Sequence, residues 1–308
     1  MKVLVTGGAG FIGSHVVDTL VEAGHNVVVV DNLATGRLEN LNPKAKFYQI
    51  DICSPELRQV FELERPDIID HHAAQIDVRR SMVEPAFDAE VNILGGIKLL
   101  ELAREFDVRK IIYISSGGAA YGEPIYLPCD EKHPVQPLCP YGASKYTFEL
   151  YLYIYHESYG LDYTILRYPN VYGPRQDPYG EAGVVAIFTG QMLRGQPVTI
   201  NGSGEQVRDF VHVRDCARAN LMVLDKGSGR IFNLGVGQGT SINQIFAHLK
   251  EIVGYPHEAQ YGPPKIGETF KIYLDANSAK KDIGWVPLIA LKEGLRETVS
   301  YFRDAGLV

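Results

Sequence analysis

A seven-residue glycine turn set between a strand and a helix near the start of the chain constrains this fold more than any other feature. An apolar run at residues 3–6 leads into Gly7-Gly8-Ala9-Gly10-Phe11-Ile12-Gly13, and a helical pattern follows over residues 11–23. Glycines at the first, fourth and seventh positions permit a tight turn, close approach of the backbone to a diphosphate, and close packing of helix on strand. The free N–H groups and partial positive charge of the helix start then bind the anion. Asp31 ends the second apolar run, in the place where a carboxylate accepts the ribose hydroxyls of adenosine and repels a 2′-phosphate. Gly7, Gly10, Phe11, Ile12, Gly13 and Asp31 are therefore read as dinucleotide-binding residues, with NAD favoured over NADP. The alternative for Asp31 is a plain strand-end aspartate before Asn32. Asp51 and Ile52, after the third run, either contact adenine or form an ordinary turn.

Short β-branched runs at residues 3–6, 27–31, 47–51, 67–70, 110–115 and 163–168 alternate with helical patterns at 11–23, 55–64, 88–106 and 141–159. The runs are nearly all apolar, as strands buried on both faces must be. This alternation predicts a Rossmann-like, doubly wound parallel α/β sheet. After Tyr168 the chain changes to longer Pro- and Gly-bearing connections between shorter elements. The expected organisation is an NAD-binding domain over 1–168 and a smaller α/β substrate-binding lobe over 169–308, with returns to the first domain left open. Helices expected near 184–194, 215–225, 241–253 and 291–303 would cap the carboxyl edge of the sheet.

The 30 basic and 37 acidic residues leave a net charge of −7, which argues against a basic nucleic-acid surface. Any phosphate must be bound locally. No uncharged apolar stretch reaches the roughly 18 residues of a membrane span, and the apolar start MKVLVTGG is too short for a signal-peptide core. Cys53, Cys129, Cys139 and Cys216 are scattered, without metal-ligand spacing, and the histidines are read as core or strand-end residues. No metal and a reducing cytoplasm are expected.

Tyr141 and Lys145 stand four residues apart on one helix face. With an ammonium and a nicotinamide cation nearby, a phenol of ordinary pKa about 10 is expected to fall by some 3 units, about 4 kcal/mol. Such a phenolate is a general base for a sugar hydroxyl. A second Tyr-x-x-x-Lys, Tyr261 to Lys265, is broken as a helix by Pro263 and Pro264. Ser115 and Ser116 end the fifth run, where a hydroxyl can bridge substrate and phenol; the alternative is ordinary turn chemistry before two glycines.

In order along nearly the whole chain, TGGAGFIGSH, DNLATG, HHAAQ, the Asn92 helix, SSGGAAYGE, YGASK, RYPNVYGPRQ, GEAGVVAIF and VRDFVHVRD resemble the extended short-chain dehydrogenase/reductase family, and within it the UDP-glucose 4-epimerases most closely. The resemblance implies Tyr141 as catalytic base, Lys145 on the nicotinamide ribose, and Ser116 as the hydroxyl partner. It extends the NAD set to Asn32, Asp51, Ile52, Ala73, Ala74, Asn92 and Tyr168, with Tyr168 near the nicotinamide. Asn170, Arg208 and the backbone at Val184 would hold the diphosphate of a UDP-sugar, with Thr199, Lys265 and Glu268 completing the nucleotide site. The residue beside the hexose falls at Ile272 or Tyr273. Departures from the family pattern are Gly117 four residues before Tyr121 where many relatives carry Ser or Thr, Lys265-Ile-Gly-Glu268 in place of Arg-x-Gly-Asp, and Asn201 in place of an aromatic near the uracil.

The implied activity is NAD-dependent epimerisation at carbon 4 of UDP-glucose or UDP-galactose through a 4-keto sugar. UDP-N-acetylhexosamine and UDP-uronate 4-epimerases remain open, as does a non-catalytic NAD sensor. Related dehydratases and decarboxylases carry a carboxylate after the fifth strand, which SSGGAAYG lacks. Six of the 18 tyrosines crowd residues 141–159, which with the 88–106 helix suggests a homodimer built on a four-helix contact, as in the resembling family.

Overall fold

A computed structural model describes residues 1–179, 183–264 and 269–306. The first half runs β1 (Lys2–Thr6), α1 (Phe11–Glu22), β2 (Asn26–Asp31), β3 (Lys46–Gln49), α2 (Leu57–Glu64) and β4 (Ile68–His71). It continues through α3 (Val78–Val83), α4 (Pro85–Ala89), a wide π turn (Glu90–Gly95), α5 (Gly96–Glu105), β5 (Lys110–Ser116), α6 (Pro140–Tyr159) and β6 (Asp162–Tyr168). The second half adds β7 (Asn170–Tyr172), α7 (Val184–Leu193), β8 (Thr199–Asn201), β9 (Val207–Arg208), β10 (Phe210–His212) and α8 (Val213–Met222). It ends with β11 (Arg230–Asn233), β12 (Thr240–Ser241), α9 (Ile242–Val253), β13 (Gln260–Gly262), α10 (Asn277–Ile283) and α11 (Leu291–Asp304).

Seven parallel strands form one sheet in the order β11-β6-β5-β4-β1-β2-β3. The order reverses between β1 and β4, so a crevice opens there at the carboxyl ends of the strands. Alternate residues of each strand feed two separate cores. Val3, Val5 and Val29 pack with Val16, Val17 and Leu20 of α1 and Ala217 and Ala219 of α8. Leu4, Val28 and Val30 share the opposite core with Phe61 of α2, Leu99 of α5, and Phe148 and Leu152 of α6. A third cluster joins α7, α9 and α11 through Phe188, Ile245, Leu249 and Leu295.

Three elements differ from the sequence reading. The expected 88–106 helix is interrupted by the π turn, whose wider loop turns Asn92 inward, where it is 3 % exposed. The helix expected near 215–225 spans Val213–Met222, and its small side chains pack it on α1 in the layer over the sheet rather than across the strand ends. Beneath it lies Trp285, fully buried, whose indole N–H donates to Asp215 O at 2.9 Å. The third is β11, a four-residue strand from the second half that completes the sheet beside β6. Among the described residues no helix is long and apolar enough to cross a membrane.

Candidate active site

The glycine turn follows β1 into the crevice. Gly7 has φ +69°, and a Cβ on Gly13 would sit 2.2 Å from Gly7 O, so the first turn of α1 lies directly on the strand end. No side chain caps that first turn. Its amides and the cradle left by the missing side chains suit a diphosphate. Asp31 is 7 % exposed, and its carboxylate accepts from Ala9 N at 3.0 Å and Leu33 N at 2.8 Å. Both readings of Asp31 thus meet in one residue: it fixes the glycine turn, and each oxygen keeps a lone pair for a ribose hydroxyl. Beside it, Asn32 Nδ2 donates to Asp51 Oδ2 at 2.7 Å, and Ile52 is buried. Across the turn, Ala73 N donates to Thr6 Oγ1 at 3.2 Å and leads to Ala74. Asn92 holds this loop, accepting from Gln75 N at 2.9 Å and donating to Gln75 O at 3.0 Å and Ser144 Oγ at 3.1 Å. These residues form the wall and floor that fit a dinucleotide.

Helix α6 carries Tyr141 and Lys145. Pro140 starts it, and Gly142 lets it approach the turn after β5, since a Cβ there would meet Ala119 O at 2.4 Å. That approach brings the Tyr141 phenol beside Ser116, on the wall of the same cavity. The two serines separate. Ser116 lines the cavity and accepts from Ala119 N at 3.2 Å. Ser115 is 2 % exposed and donates to Glu149 Oε1 at 2.5 Å. Glu149 takes Arg167 Nε at 2.9 Å and Nη2 at 2.5 Å, and Arg167 Nη1 donates to the Tyr121 hydroxyl at 2.8 Å. Tyr121 donates onward to Asn233 Oδ1 of β11 at 2.8 Å. This buried network locks α6 to β5, β6 and β11 and keeps the charges of Glu149 and Arg167 satisfied.

Burial pushes the Tyr141 phenol well above its ordinary value, and the neighbouring Ser116 side chain draws it part of the way back. Burial lowers Lys145 to about 7, against the charges of Glu149 and Asp88. Its Nζ lies 4.5 Å from the centre of the Tyr113 ring. For the protein alone, the phenol therefore moves opposite to the expected fall. The cause is desolvation: both groups have lost water, and Lys145 holds only part of its charge near neutral pH.

A cavity of about 390 Å³ opens beside Tyr141 and Ser116. Asn170, Val184, Thr199 and Arg208 also line it, so the structure brings six of the expected substrate residues to one surface. Lys265 and Glu268 lie outside the described residues. Ile272 is not on the cavity; it is 2 % exposed and packs with Tyr121, Cys129 and Leu274 beneath the turn after β5. Tyr168 is likewise buried in the sheet core, its hydroxyl accepting from Asn220 Nδ2. Sequence reasoning missed Ile187, Phe188, Gln206 and Thr269 on the cavity wall. It also missed Glu149, for which a signal existed in the four-residue step Tyr141, Lys145, Glu149 along one helix face. Among the described residues no group of three or more His, Cys, Asp or Glu is placed to hold a metal.

A model of the NAD dependent epimerase/dehydratase family matches residues 3–235. A putative UDP-glucose 4-epimerase of Methanocaldococcus jannaschii is 49% identical over 302 residues, covering 98% of both chains. The crystal structure of UDP-glucose 4-epimerase with UDP-glucose from Thermotoga maritima superposes with a TM-score of 0.98 at 53% identity, covering 99% of each chain. The Thermus thermophilus UDP-glucose 4-epimerase in complex with NAD gives 0.95 at 44% identity, over 99% of this chain and 100% of that one. With the glycine turn, the Tyr141–Lys145 helix and these matches in agreement, the chain belongs to the NAD dependent epimerase/dehydratase family.

Proposed function

We propose that this protein is an isomerase that epimerises carbon 4 of a UDP-hexose, interconverting UDP-glucose and UDP-galactose with NAD as its cofactor. The observation that carries the reading is the Tyr141–Ser116 pair on the wall of a cavity whose described lining contains no carboxylate. A dehydratase or decarboxylase would need such an acid; moving a proton and a hydride at one carbon does not.

Asp31, the start of α1 and the Ala73–Asn92 wall would hold the NAD, and Lys145 its nicotinamide ribose. When bound, NAD supplies reversible hydride acceptance and the positive charge that the phenol lacks in the protein alone. Ser116 hydrogen-bonds the carbon-4 hydroxyl and relays its proton to Tyr141 as the carbon is oxidised, the oxygen staying on carbon 4. Asn170, Arg208 and the Val184 backbone hold the diphosphate while the 4-keto hexose turns and presents its other face. Tyr141 then returns the proton to the carbon-4 oxygen, so the reaction is redox-neutral. Binding strength belongs on the nucleotide, since grip on the hexose would favour one epimer.

The test is a coupled assay started from either UDP-hexose. The two directions are expected to converge on one product ratio without net formation of NADH. Absence of turnover from both substrates overturns the reading.

The division into a cofactor half at 1–168 and a substrate half at 169–308 belongs to the same proposal, with β11 and α8 returning to the first half's sheet. We also infer a cytoplasmic homodimer acting in galactose metabolism, with neither nucleic acid nor membrane as partner. Support for the dimer comes from apolar side chains left exposed on α3, the π turn and α6: Val83, Leu94, Leu150, Tyr153 and Ile154. Light scattering at micromolar concentration is expected to give twice the 34.2 kDa chain mass.

A further inference from the structure

The mechanism above leaves one buried acid near the catalytic helix unused. Asp88 sits in α4, 1 % exposed. Its Oδ1 accepts from Gln75 Nε2 at 2.8 Å and Asn92 Nδ2 at 3.2 Å, and Asn92 reaches on to Ser144, the residue before Lys145. Its Oδ2 is buried without a hydrogen-bond donor. A buried carboxylate oxygen left in this way is costly unless a cation lies near enough to stabilise it. Asp88 acts electrostatically on Lys145 and on Tyr141. The other carboxylate acting on Lys145 is Glu149, whose charge is already met by the two-pronged contact with Arg167.

We propose that Asp88 is a positioning residue for the epimerisation: its carboxylate is the counter-charge of the Lys145 ammonium, and its bonds through Asn92 hold α6 against the Gln75 loop. This rests on the reading of Tyr141 as the base. Both groups respond to the loss of the Asp88 charge in one direction. Lys145 gives up its proton at lower pH, and Tyr141 also ionises at lower pH. Whichever limb of the pH–rate profile each group sets, both limbs therefore shift down together. The ionisable groups around Asp88 are all kept in the variant, and of these Tyr113 and Cys139 also lose the field of its charge. On the sheet and α6 these are His71, Tyr113, Glu149 and Cys139. On the segments flanking α4 they are Arg79, Glu90 and the Arg80–Glu84 ion pair.

Asp88→Asn separates charge from shape, because it keeps an acceptor oxygen for Gln75 and Asn92. In the holoenzyme the whole pH–rate profile is expected to move down by about half a unit to one unit, with kcat on its alkaline side reduced about three- to tenfold and KM little altered. Near-ultraviolet phenolate absorbance, taken as the difference from the same protein carrying Tyr141→Phe, is expected to show the phenol titrating lower by a similar amount. An unmoved profile and an unmoved phenol in a folded Asp88→Asn protein overturn the proposal. Asp88→Ser, neutral with its own acceptor, carries the same test should Asp88→Asn not fold. Turnover that survives Tyr141→Phe breaks the mechanism itself, whereas a Tyr141-dependent parent with an unmoved Asp88→Asn profile breaks the role of Asp88 alone.

Discussion

On the floor of the cleft nearly every polar group is tied to another: Asp31 to the Ala9 and Leu33 amides, Asn32 to Asp51, Asn92 to Gln75 and Ser144, Ser115 to Glu149 and Arg167. On the opposite wall, Asn170, Thr199 and Arg208 come from short strands of separate two-stranded pairs, and the glycine-bounded segments between them replace any continuous sheet. The floor is set before any ligand arrives, while the wall is assembled from single residues of separate short pairs, as the proposed grip on a nucleotide with room for a turning hexose requires. Changes to the floor should therefore register as stability and chemistry, and changes to the wall as binding.

The largest expected effect falls where the two meet. Tyr141→Phe should lower kcat by about 10²- to 10⁴-fold, the range for loss of a general base, with KM for UDP-galactose within about threefold; initial rates read both. Glu149→Gln strands the Arg167 guanidinium, 3% exposed, in the core. A loss of about 3–5 kcal/mol in denaturant unfolding is expected, and a loss within experimental error would break the picture of a pre-set floor. On the wall, Arg208→Ala should raise KM by about 10- to 100-fold, equivalent to a charge-assisted contact of about 1.5–3 kcal/mol, with kcat nearly constant. A kcat loss of similar size would place Arg208 with the chemistry instead. Gly13→Ala pushes a methyl toward Gly7 O, 2.2 Å from the new atom. About 1–3 kcal/mol of strain should appear as a lower melting temperature and less NAD retained through purification.

The floor was legible in the sequence because its signals are local. A glycine turn, an acid at a strand end and a four-residue Tyr–Lys step each depend on a few neighbouring residues. Five of the six runs likewise declare buried parallel strands by composition alone, whereas the third forms β3 at the sheet edge, where none of Lys46–Gln49 is buried. Arg230–Asn233 carries no such signal; with four residues between glycine-bearing turns, it becomes a strand only because the free edge of β6 is there to pair with it. The partition of Ser115 from Ser116 also depends on tertiary contacts, since Glu149 and Arg167 lie 34 and 52 positions away from Ser115. Ile272 falls at the expected place in the chain but turns into a core cluster. Asp88 looked like one polar residue in a helix, and the π turn that joins it to Asn92 is set by packing against α6 rather than by any periodicity.

The seventh strand also bears on how the chain is made. β11 begins at residue 230 of 308 and pairs with β6, which ends at residue 168. During synthesis the Thr164–Arg167 edge therefore waits unpaired while some sixty further residues are added, and the Tyr121–Asn233 bond behind the turn after β5 forms only afterwards. An open edge of this kind is a template for pairing with other chains, and non-local closure is slow. The smallest unit expected to fold by itself thus extends past Tyr168 to β11, and the newly made sheet is most exposed to misassembly in the interval before its last strand arrives.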